Sequence, residues 1–284
     1  MSRSIYEKLR KIPDGYIGMI SILFMLIPVL YPLGLPLPVS APTKGFYQTI
    51  VNLPPGSIIC IDSGGGMASW SEFESSMLAM LKLLLSKPIK WFSWGTSSDG
   101  PVMTDILLKR IDPAKTFGKV YGKDYLTLGY IGADEMTIAA VAANTHSVAS
   151  VDFFGKGLSQ YPLWNEVNNA KDFALIISIS GSCTNMDVES RQWNAIYGKK
   201  ILEINMACCS PMSINYFPSI MPGGLWGAKG GTELEVLSGF PGPGARLTDA
   251  SNLGLIPFIV FLLLGNIGYI GTRYLMKEGE ETKK

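Results

Sequence analysis

The sequence predicts an α/β protein: a three-layer domain with a mainly parallel sheet, flanked by N- and C-terminal transmembrane helices. Three observations support this fold class. Two uncharged apolar stretches lie near the ends of the chain, strand-like and helix-like patterns alternate between them, and the first strand-like run leads through glycines into a helix-like pattern. Hydrophobic residues make up 47% of the chain and charged residues only 17%, a balance tilted away from an ordinary soluble protein.

The two apolar stretches are Tyr16 to Leu37 and Leu253 to Ile270, and neither contains a charged residue. At a rise of about 1.5 Å per residue, each is long enough to cross a hydrocarbon core about 30 Å thick. The length disfavours the alternative of two buried core helices. A cleaved signal peptide has a shorter apolar region of roughly 7 to 15 residues, so we expect the first stretch to be retained as an anchor. Pro28 and Pro32 predict a kink or an end in it.

The charged flanks predict the orientation. Basic residues precede the first stretch and follow the second: Arg3, Lys8, Arg10, Lys11, Arg273, Lys277, Lys283 and Lys284. The positive-inside rule therefore predicts a two-pass protein of the cell membrane, with both termini in the cytoplasm. The predicted divisions are a cytoplasmic segment 1–15, a transmembrane helix 16–37, an extracytoplasmic α/β domain 38–211, a glycine-rich membrane-proximal segment 212–252, a transmembrane helix 253–272 and a cytoplasmic tail 273–284.

Apolar runs and helix-like patterns alternate in the middle of the chain, as crossover units of a parallel sheet require. The predicted strands are 58–61, 89–94, 125–130, 147–153, 173–180 and 200–206. The predicted helices are 69–86, 101–111, 134–144 and 187–197. Ser69 and Glu72 have the spacing of a capping box at the first of these helices.

A glycine turn follows the first strand, at the sheet edge where open parallel sheets bind ligands. Its residues, Asp62, Ser63, Gly64, Gly65 and Gly66, are weak candidates for ligand binding. The run lacks the spacing of a dinucleotide fingerprint and the Lys-Ser/Thr ending of a phosphate-binding loop. A glycine turn that needs positive φ is therefore favoured over a phosphate site.

Four aspartates, Asp62, Asp99, Asp134 and Asp152, fall near strand ends or helix starts. They could converge on one rim of the sheet, but aspartate is also a common helix cap, and capping is the favoured interpretation.

A second interpretation of the glycine turn is enzymatic. The strand, the small-residue turn and the helix resemble the oxyanion-hole segment of the Clp-protease and crotonase fold, which includes membrane-bound signal peptide peptidases. This resemblance implies a serine nucleophile with a lysine or histidine base. Ser97 and Ser98 are weak candidates, with Ser180 and Ser182 as others, while the single histidine, His146, is expected to have a surface or core role. A non-catalytic role is favoured over catalysis.

The cysteines, the single histidine and the net charge limit the possible metal sites, disulfides and nucleic-acid contacts. The spacing of Cys60, Cys183, Cys208 and Cys209 fits no zinc ribbon, and one histidine has no second to share a metal, so we expect no metal and no cofactor. An extracytoplasmic domain permits one disulfide, Cys183 with Cys208 or Cys209; buried free cysteines are the alternative. A net charge near zero, without a basic and aromatic surface, argues against nucleic acid.

Glycines near the second apolar stretch suggest assembly. Gly223, Gly227 and Gly231 recur every four residues, so in a helix they would share a face that another backbone can approach. The alternative is a loop with no helix until about Thr232, and Pro241 to Gly244 should break any helix. Asn266, inside the second apolar stretch, is expected to seek a partner across a helix interface.

The segments "PLPVSAPTKGFYQTIVNLPPGS", "GGLWGAKGGTELEVLSGFPG" and "SNLGLIPFIVFLLLGNIGY" resemble those of an uncharacterised prokaryotic membrane-protein family, in which two transmembrane helices flank a Rossmann-like α/β domain. The resemblance implies that these junctions belong to the architecture, and it supplies no activity. We expect a non-catalytic subunit of an oligomeric membrane complex, in contact with membrane lipid and with like or other membrane subunits. A membrane-anchored serine hydrolase and a small-ligand-binding membrane protein are the alternatives.

Overall fold

The computed structural model describes residues 3–31, 33 and 37–281, with side chains for residues 5–31, 33 and 37–274. These residues belong to two compact units. One unit contains the described residues before Leu37 and those from Ala245 onward; the other is the continuous domain Leu37–Gly244.

Strands and helices alternate through most of the domain. The helices are α1 (Arg3–Arg10), α2 (Asp14–Leu30), α3 (Ala41–Val51), α4 (Trp70–Ser86), α5 (Asp99–Ile111), α6 (Pro113–Phe117), α7 (Glu135–Ala143), α8 (Asn185–Glu189), α9 (Ser210–Ser213), α10 (Gly227–Ser238) and α11 (Gly244–Glu281). The strands are β1 (Ile58–Gly64), β2 (Lys90–Gly95), β3 (Tyr125–Tyr130), β4 (Leu175–Ser180), β5 (Lys200–Asn205) and β6 (Gly223–Trp226). A π-helical segment, Ser190–Ala195, continues α8.

All six strands run parallel, in the order β3-β2-β1-β4-β5-β6. The chain builds outward from β1 to β3, returns to pair β4 with β1, and then builds outward in the other direction. This reversal makes a topological switch point between the carboxyl ends of β1 and β4. Every residue of β4 is buried, as a strand covered on both faces requires. The predicted parallel sheet is confirmed.

Helices cover both faces of the sheet. One buried cluster contains side chains of α3, α4, α5 and α10, and the other contains side chains of α7, α8 and the loop between residues 158 and 173. Along β1, Ile59 and Ile61 belong to the first cluster and Cys60 to the second. Because successive side chains of a strand alternate, Asp62 lies on the same face as Cys60.

One predicted strand is absent, and one observed strand was not predicted. The predicted strand 147–153 is a loop in which Val151 makes a single bridge with Gly157, because the Asp152 carboxylate accepts from the amides of Phe154 and Lys156 and closes a turn. The sixth strand is instead β6, which pairs with β5 from Gly223 to Trp226. Two adjacent glycines hid it, since glycine is depleted in strands.

The two apolar segments differ in length. Among the described residues, one helix, at Gly244–Tyr274 within α11, is long and apolar enough to cross a membrane. The first apolar stretch forms α2, whose 17 residues span about 26 Å, with Pro28 inside the helix and Tyr31 already extended. A second span is therefore not shown, and Pro32 lies outside the described residues.

The helices of the first unit pack closely. A Cβ on Gly254 would lie 2.7 Å from Met25 Cγ, and one on Gly268 would lie 2.9 Å from the main chain of α1 at Tyr6 and Arg10. Small residues of α11 thus let α1 and α2 approach it closely.

Candidate functional site

A polar crevice lies at the switch point, where open parallel sheets bind their ligands. The glycine turn begins within β1, which ends at Gly64, and the loop after β4 leads from Gly181 to Thr184 directly into α8. The predicted need for positive φ in the glycine turn is wrong, because the described glycines with positive φ do not include Gly64, Gly65 or Gly66. Side chains from β1, β4 and α8, together with Thr96 directly after β2, form the hydrogen-bonded cluster beneath these loops.

Asp62 is the centre of this cluster and is fully buried. Thr96 Oγ1 donates to Asp62 Oδ1 over 2.7 Å, and Asn185 Nδ2 lies 3.5 Å from Asp62 Oδ2. Asn185 Nδ2 also donates to Ser178 Oγ at 2.9 Å and to Glu189 Oε1 at 3.2 Å. A single amide group therefore joins β1, β4 and the next turn of its own helix.

Glu189 completes a buried carboxyl pair with Asp62. Burial and the neighbouring Asp62 raise the pKa of Glu189 well above its usual range. Burial also raises the pKa of Asp62 to about 6, although hydrogen bonds from Thr96, Glu189 and Asn185 oppose that rise. Glu189 therefore keeps its proton to a higher pH than an ordinary glutamate, and in its protonated form its hydroxyl donates to Asp62. Across the described residues, no other partner satisfies Glu189 Oε2.

The helix changes its winding directly after Glu189. Ser190–Ala195 is π-helical, and such bulges are rare and frequently occur at functional sites. Trp193 in this segment is buried, and its indole Nε1, like that of Trp94, finds no acceptor within the described chain. Unpaired polar groups therefore collect on the face of the sheet that holds the carboxyl pair.

A third buried carboxylate, Glu203 on β5, is fully paired. It accepts from Ser213 Oγ and Trp226 Nε1, each at 2.7 Å, and from Asn205 Nδ2 at 3.0 Å. These bonds tie β5 to β6 and α9, which is a structural role.

The glycine turn is held by the protein's own side chains. Asp99 Oδ2 accepts from the Met67 amide at 2.9 Å, so a carboxylate already occupies this donor. Glu72, expected in a capping box, instead accepts from the Ala207 amide at 2.8 Å, and Ser69 Oγ donates to Met206 Sδ at 3.4 Å. The capping-box prediction is therefore wrong, because both side chains link α4 to the loop after β5. Acidic groups at this rim also disfavour a phosphate.

The candidate nucleophile Ser97 serves the same turn. Its Oγ donates to Gly65 O at 2.6 Å and accepts from the Gly100 amide at 3.0 Å. Ser98 is exposed at the start of α5. His146 lies after α7, at the opposite end of the sheet, where its Nε2 is 3.0 Å from Trp164 O and its ring stacks on that indole. This geometry does not assemble a serine with a histidine base.

The other aspartates follow the predicted capping role in part. Asp134 caps α7 by accepting from the Thr137 amide at 2.8 Å, and these hydrogen bonds lower the pKa of Asp134. Asp99 lies in the first turn of α5. Asp62 is the exception, since it accepts from Thr96 across the sheet.

The three glycines proposed for assembly do not share a helix face, because Gly223 is in β6 and α10 begins at Gly227. A Cβ on Gly223 would overlap the main chain of Phe46 in α3, and one on Gly231 would overlap Ser76 N in α4. Gly227 has φ +61°, a conformation that favours glycine. The expected close approach exists, but it is made inside this domain.

Asn266 and Gly265 face away from the described part of their own unit. Asn266 is exposed, and its Nδ2 donates to Leu262 O of the same helix at 3.0 Å. A Cβ on Gly265 would have nothing within 4 Å. The Asn266 amide and the neighbouring glycine, which has no side chain, lie among exposed apolar side chains such as Leu262, Leu263 and Ile267.

The loops after β4 and β5 are joined by a disulfide between Cys183 and Cys209. Cys208 is a free and exposed thiol, and the three sulfur atoms lie within 4.8 Å of one another. Cys60 is a free buried thiol whose pKa is raised by burial. The disulfide alternative that pairs Cys183 with Cys209 is therefore the one observed.

Glu189 and Asn185 were missed by the sequence analysis. They stand four residues apart on the helix that follows β4, so they share a helix face. That spacing, on the helix next to the switch point, is the signal that could have identified them.

The strand order and this crevice define a Rossmann-like α/β protein. The chain carries, in addition, one candidate membrane helix among the described residues. Comparison with protein-family models, with curated proteins and with solved structures finds no match. The resemblance to a two-span membrane family stays a prediction.

Proposed function

We propose that this chain is a non-catalytic, membrane-anchored subunit of an oligomeric complex, which presents its α/β domain outside the cell membrane. Both termini lie in the cytoplasm, and α2 and α11 form a two-pass anchor in contact with lipid. Exposed apolar side chains along both helices, including Ile22, Leu23 and Phe258, support contact with hydrocarbon. The Cys183–Cys209 disulfide supports an oxidising compartment for the domain.

Asn266 is the observation that carries the assembly proposal. An exposed amide inside an apolar helix has its lowest free energy when a second helix pairs its unused oxygen and hydrogen. Its neighbour Gly265 leaves room for that helix, since a Cβ placed on Gly265 would have no described atom within 4 Å. The partner is a second copy of this chain or another membrane subunit.

The test is the mass of the full chain in mild detergent, measured by light scattering. Interhelical hydrogen bonds of this kind contribute about 1 kcal/mol, so Asn266→Leu is expected to weaken assembly about 5-fold. Ile267→Leu is the matched control, because it keeps an apolar side chain at the neighbouring exposed position. A wild-type chain that is monomeric and without partners contradicts the proposal, as does unchanged assembly of Asn266→Leu.

Small-ligand binding at the switch point is a second candidate function, favoured by the carboxyl pair. A buried carboxyl group whose pKa is raised keeps its proton to a higher pH, and in that form it can donate a hydrogen bond to a ligand, as ionised carboxylates cannot. Ligand binding of this kind requires first that Asp62 and Glu189 share a proton. The pH dependence of the free energy of unfolding tests that requirement.

A further inference from the structure

A cavity of about 430 Å³ lies beside β3, the edge strand at the opposite side of the sheet from β6. It is bounded by the C-terminal half of α5, the start of α6, the beginning of β3 and the loop at Phe153 and Phe154. The volume is within the range of small-molecule sites. None of the groups at the switch point lines it.

Aromatic rings form one wall of this cavity. Tyr121 packs edge-to-face on Tyr125 at 5.4 Å between ring centroids and on Phe154 at 5.5 Å, and Tyr125 stacks on Trp91 at 5.2 Å. Asp152 fixes the ring of Tyr121, whose hydroxyl donates to Asp152 Oδ2 at 3.1 Å. The wall is therefore rigid, and its faces are rich in π-electron density.

The charge of the lining is acidic. Two carboxylates, Asp105 and Asp112, and one ammonium group, Lys109, border the cavity. Lys109 Nζ pairs with Asp105 Oδ2 at 2.8 Å and is largely exposed, which leaves the charge of Asp112 on the cavity. Burial raises the pKa of Tyr125, and the negative charges of Asp112 and Asp124 add to that rise. An anion is therefore disfavoured here and a cation is favoured.

Hydroxyl groups lie at the inner end. Thr127 lines the cavity and is 2% exposed, and its Oγ1 has no hydrogen-bond partner among the residues that the structure describes. Ser93 stands beside it in the strand register, and its Oγ is unpaired in the same sense. Rotation of Thr127 about χ1 moves its hydroxyl between three staggered positions, so that the hydroxyl can meet a bound molecule.

We propose that this cavity binds a small organic ammonium ion that carries a hydroxyl group. The aromatic wall and Asp112 hold the positive charge, as aromatic cages hold quaternary ammonium groups. The hydroxyl of the ligand pairs with Thr127, which removes the cost of an unpaired buried group. This site is independent of the carboxyl pair and of the membrane helix.

The test uses the full chain in a maltoside detergent, which has no ammonium headgroup, with choline as the probe in calorimetric titration. We expect saturable binding of choline and at least 5-fold weaker binding of 3,3-dimethylbutanol, its neutral isostere. Equal binding of the two overturns the assignment of a cation site. No saturable binding of choline overturns the proposal as a whole.

Three variants separate binding from folding. Phe154→Ala removes a half-exposed ring, and Asp112→Asn removes the charge while keeping a residue that tolerates φ +50° and caps α6. Each is expected to weaken choline binding about 2- to 5-fold. Thr127→Val should weaken binding and at the same time raise the melting temperature of the free protein, since it deletes an unpaired buried hydroxyl. Thr127→Val that binds choline as wild type overturns the role of the hydroxyl.

Discussion

At the residue scale, the buried pair Asp62 and Glu189 distinguishes this sheet from a purely apolar one. Folding moves both carboxyl groups out of water and next to each other, so at least one keeps a proton that it loses in the unfolded chain. The pair is hydrogen-bonded through Asn185, which fixes its position below the glycine turn. Its contribution to stability therefore depends on pH.

The sign of that dependence follows from the raised pKa of Asp62. The folded state keeps the Asp62 proton up to about pH 6, whereas the unfolded chain loses it near the ordinary value of 3.8. The free energy of unfolding should therefore fall as pH rises from about 4 to 6, by about 3 kcal/mol from this group. Glu189, whose pKa is also raised, contributes in the same direction.

Asp62→Asn is expected to raise the stability of the full chain at pH 7 and to flatten this slope, as measured by urea unfolding at several pH values. Asp152→Asn is the control, because the pKa of Asp152 is lowered rather than raised. This variant is expected to lower the stability at pH 7, where Asp62→Asn raises it. Burial raises the pKa of Asp152, but hydrogen bonds from Tyr161, the Lys156 amide and Tyr121 outweigh burial and lower it. A wild-type stability that rises with pH from 4 to 6, or an Asp62→Asn slope equal to wild type, would argue against the shared proton.

At the element scale, α10 is held in the domain by glycines that admit its neighbours. Gly231 lies against α4 at Ser75 and Ser76, whose hydroxyls donate to Ala228 O and Gly227 O. The sequence instead suggested that Gly227 and Gly231 serve assembly. The prediction of close backbone approach was useful, but a four-residue period cannot identify which backbone approaches.

Gly231→Ala is expected to destabilise the domain by about 2 kcal/mol, because the added methyl group meets the main chain of Ser76, which cannot move aside easily. Gly157→Ala, at a position with open space and φ −58°, should leave stability nearly unchanged. Urea unfolding of the two variants measures the difference. Equal stability of both would show that α4 and α10 do not pack as described.

Sequence patterns predicted the elements whose formation depends on residues close together in the sequence. Five strands, β1 to β5, are apolar runs of the length that buried parallel strands have, and Pro241 to Gly244 separates α10 from α11 as expected. β6 escaped because its pairing depends on β5, and Gly223 and Gly224 have no side chains to mark it. Glu189 escaped because its environment is made by Asp62, which lies far away in the sequence, and no local pattern encodes that contact.

At the scale of the whole molecule, the chain contains a Rossmann-like domain and one described helix that is long and apolar enough to cross a membrane. α11 supplies the one described helix that is long enough to span, while α2 is shorter and carries Pro28. The proposed orientation rests on the basic residues at both chain ends and on the disulfide of the domain. Both lines of support favour the α/β domain on the outer side.

The thiol of Cys208 allows the most direct measurement of that placement. It is exposed on the α/β domain, whereas Cys60 is buried and Cys183 and Cys209 are joined. A membrane-impermeant maleimide should label wild-type protein on intact cells as fully as in permeabilised cells, and Cys208→Ser should abolish that labelling. Labelling of Cys208 that appears only after the membrane is permeabilised would contradict the outward placement of the domain.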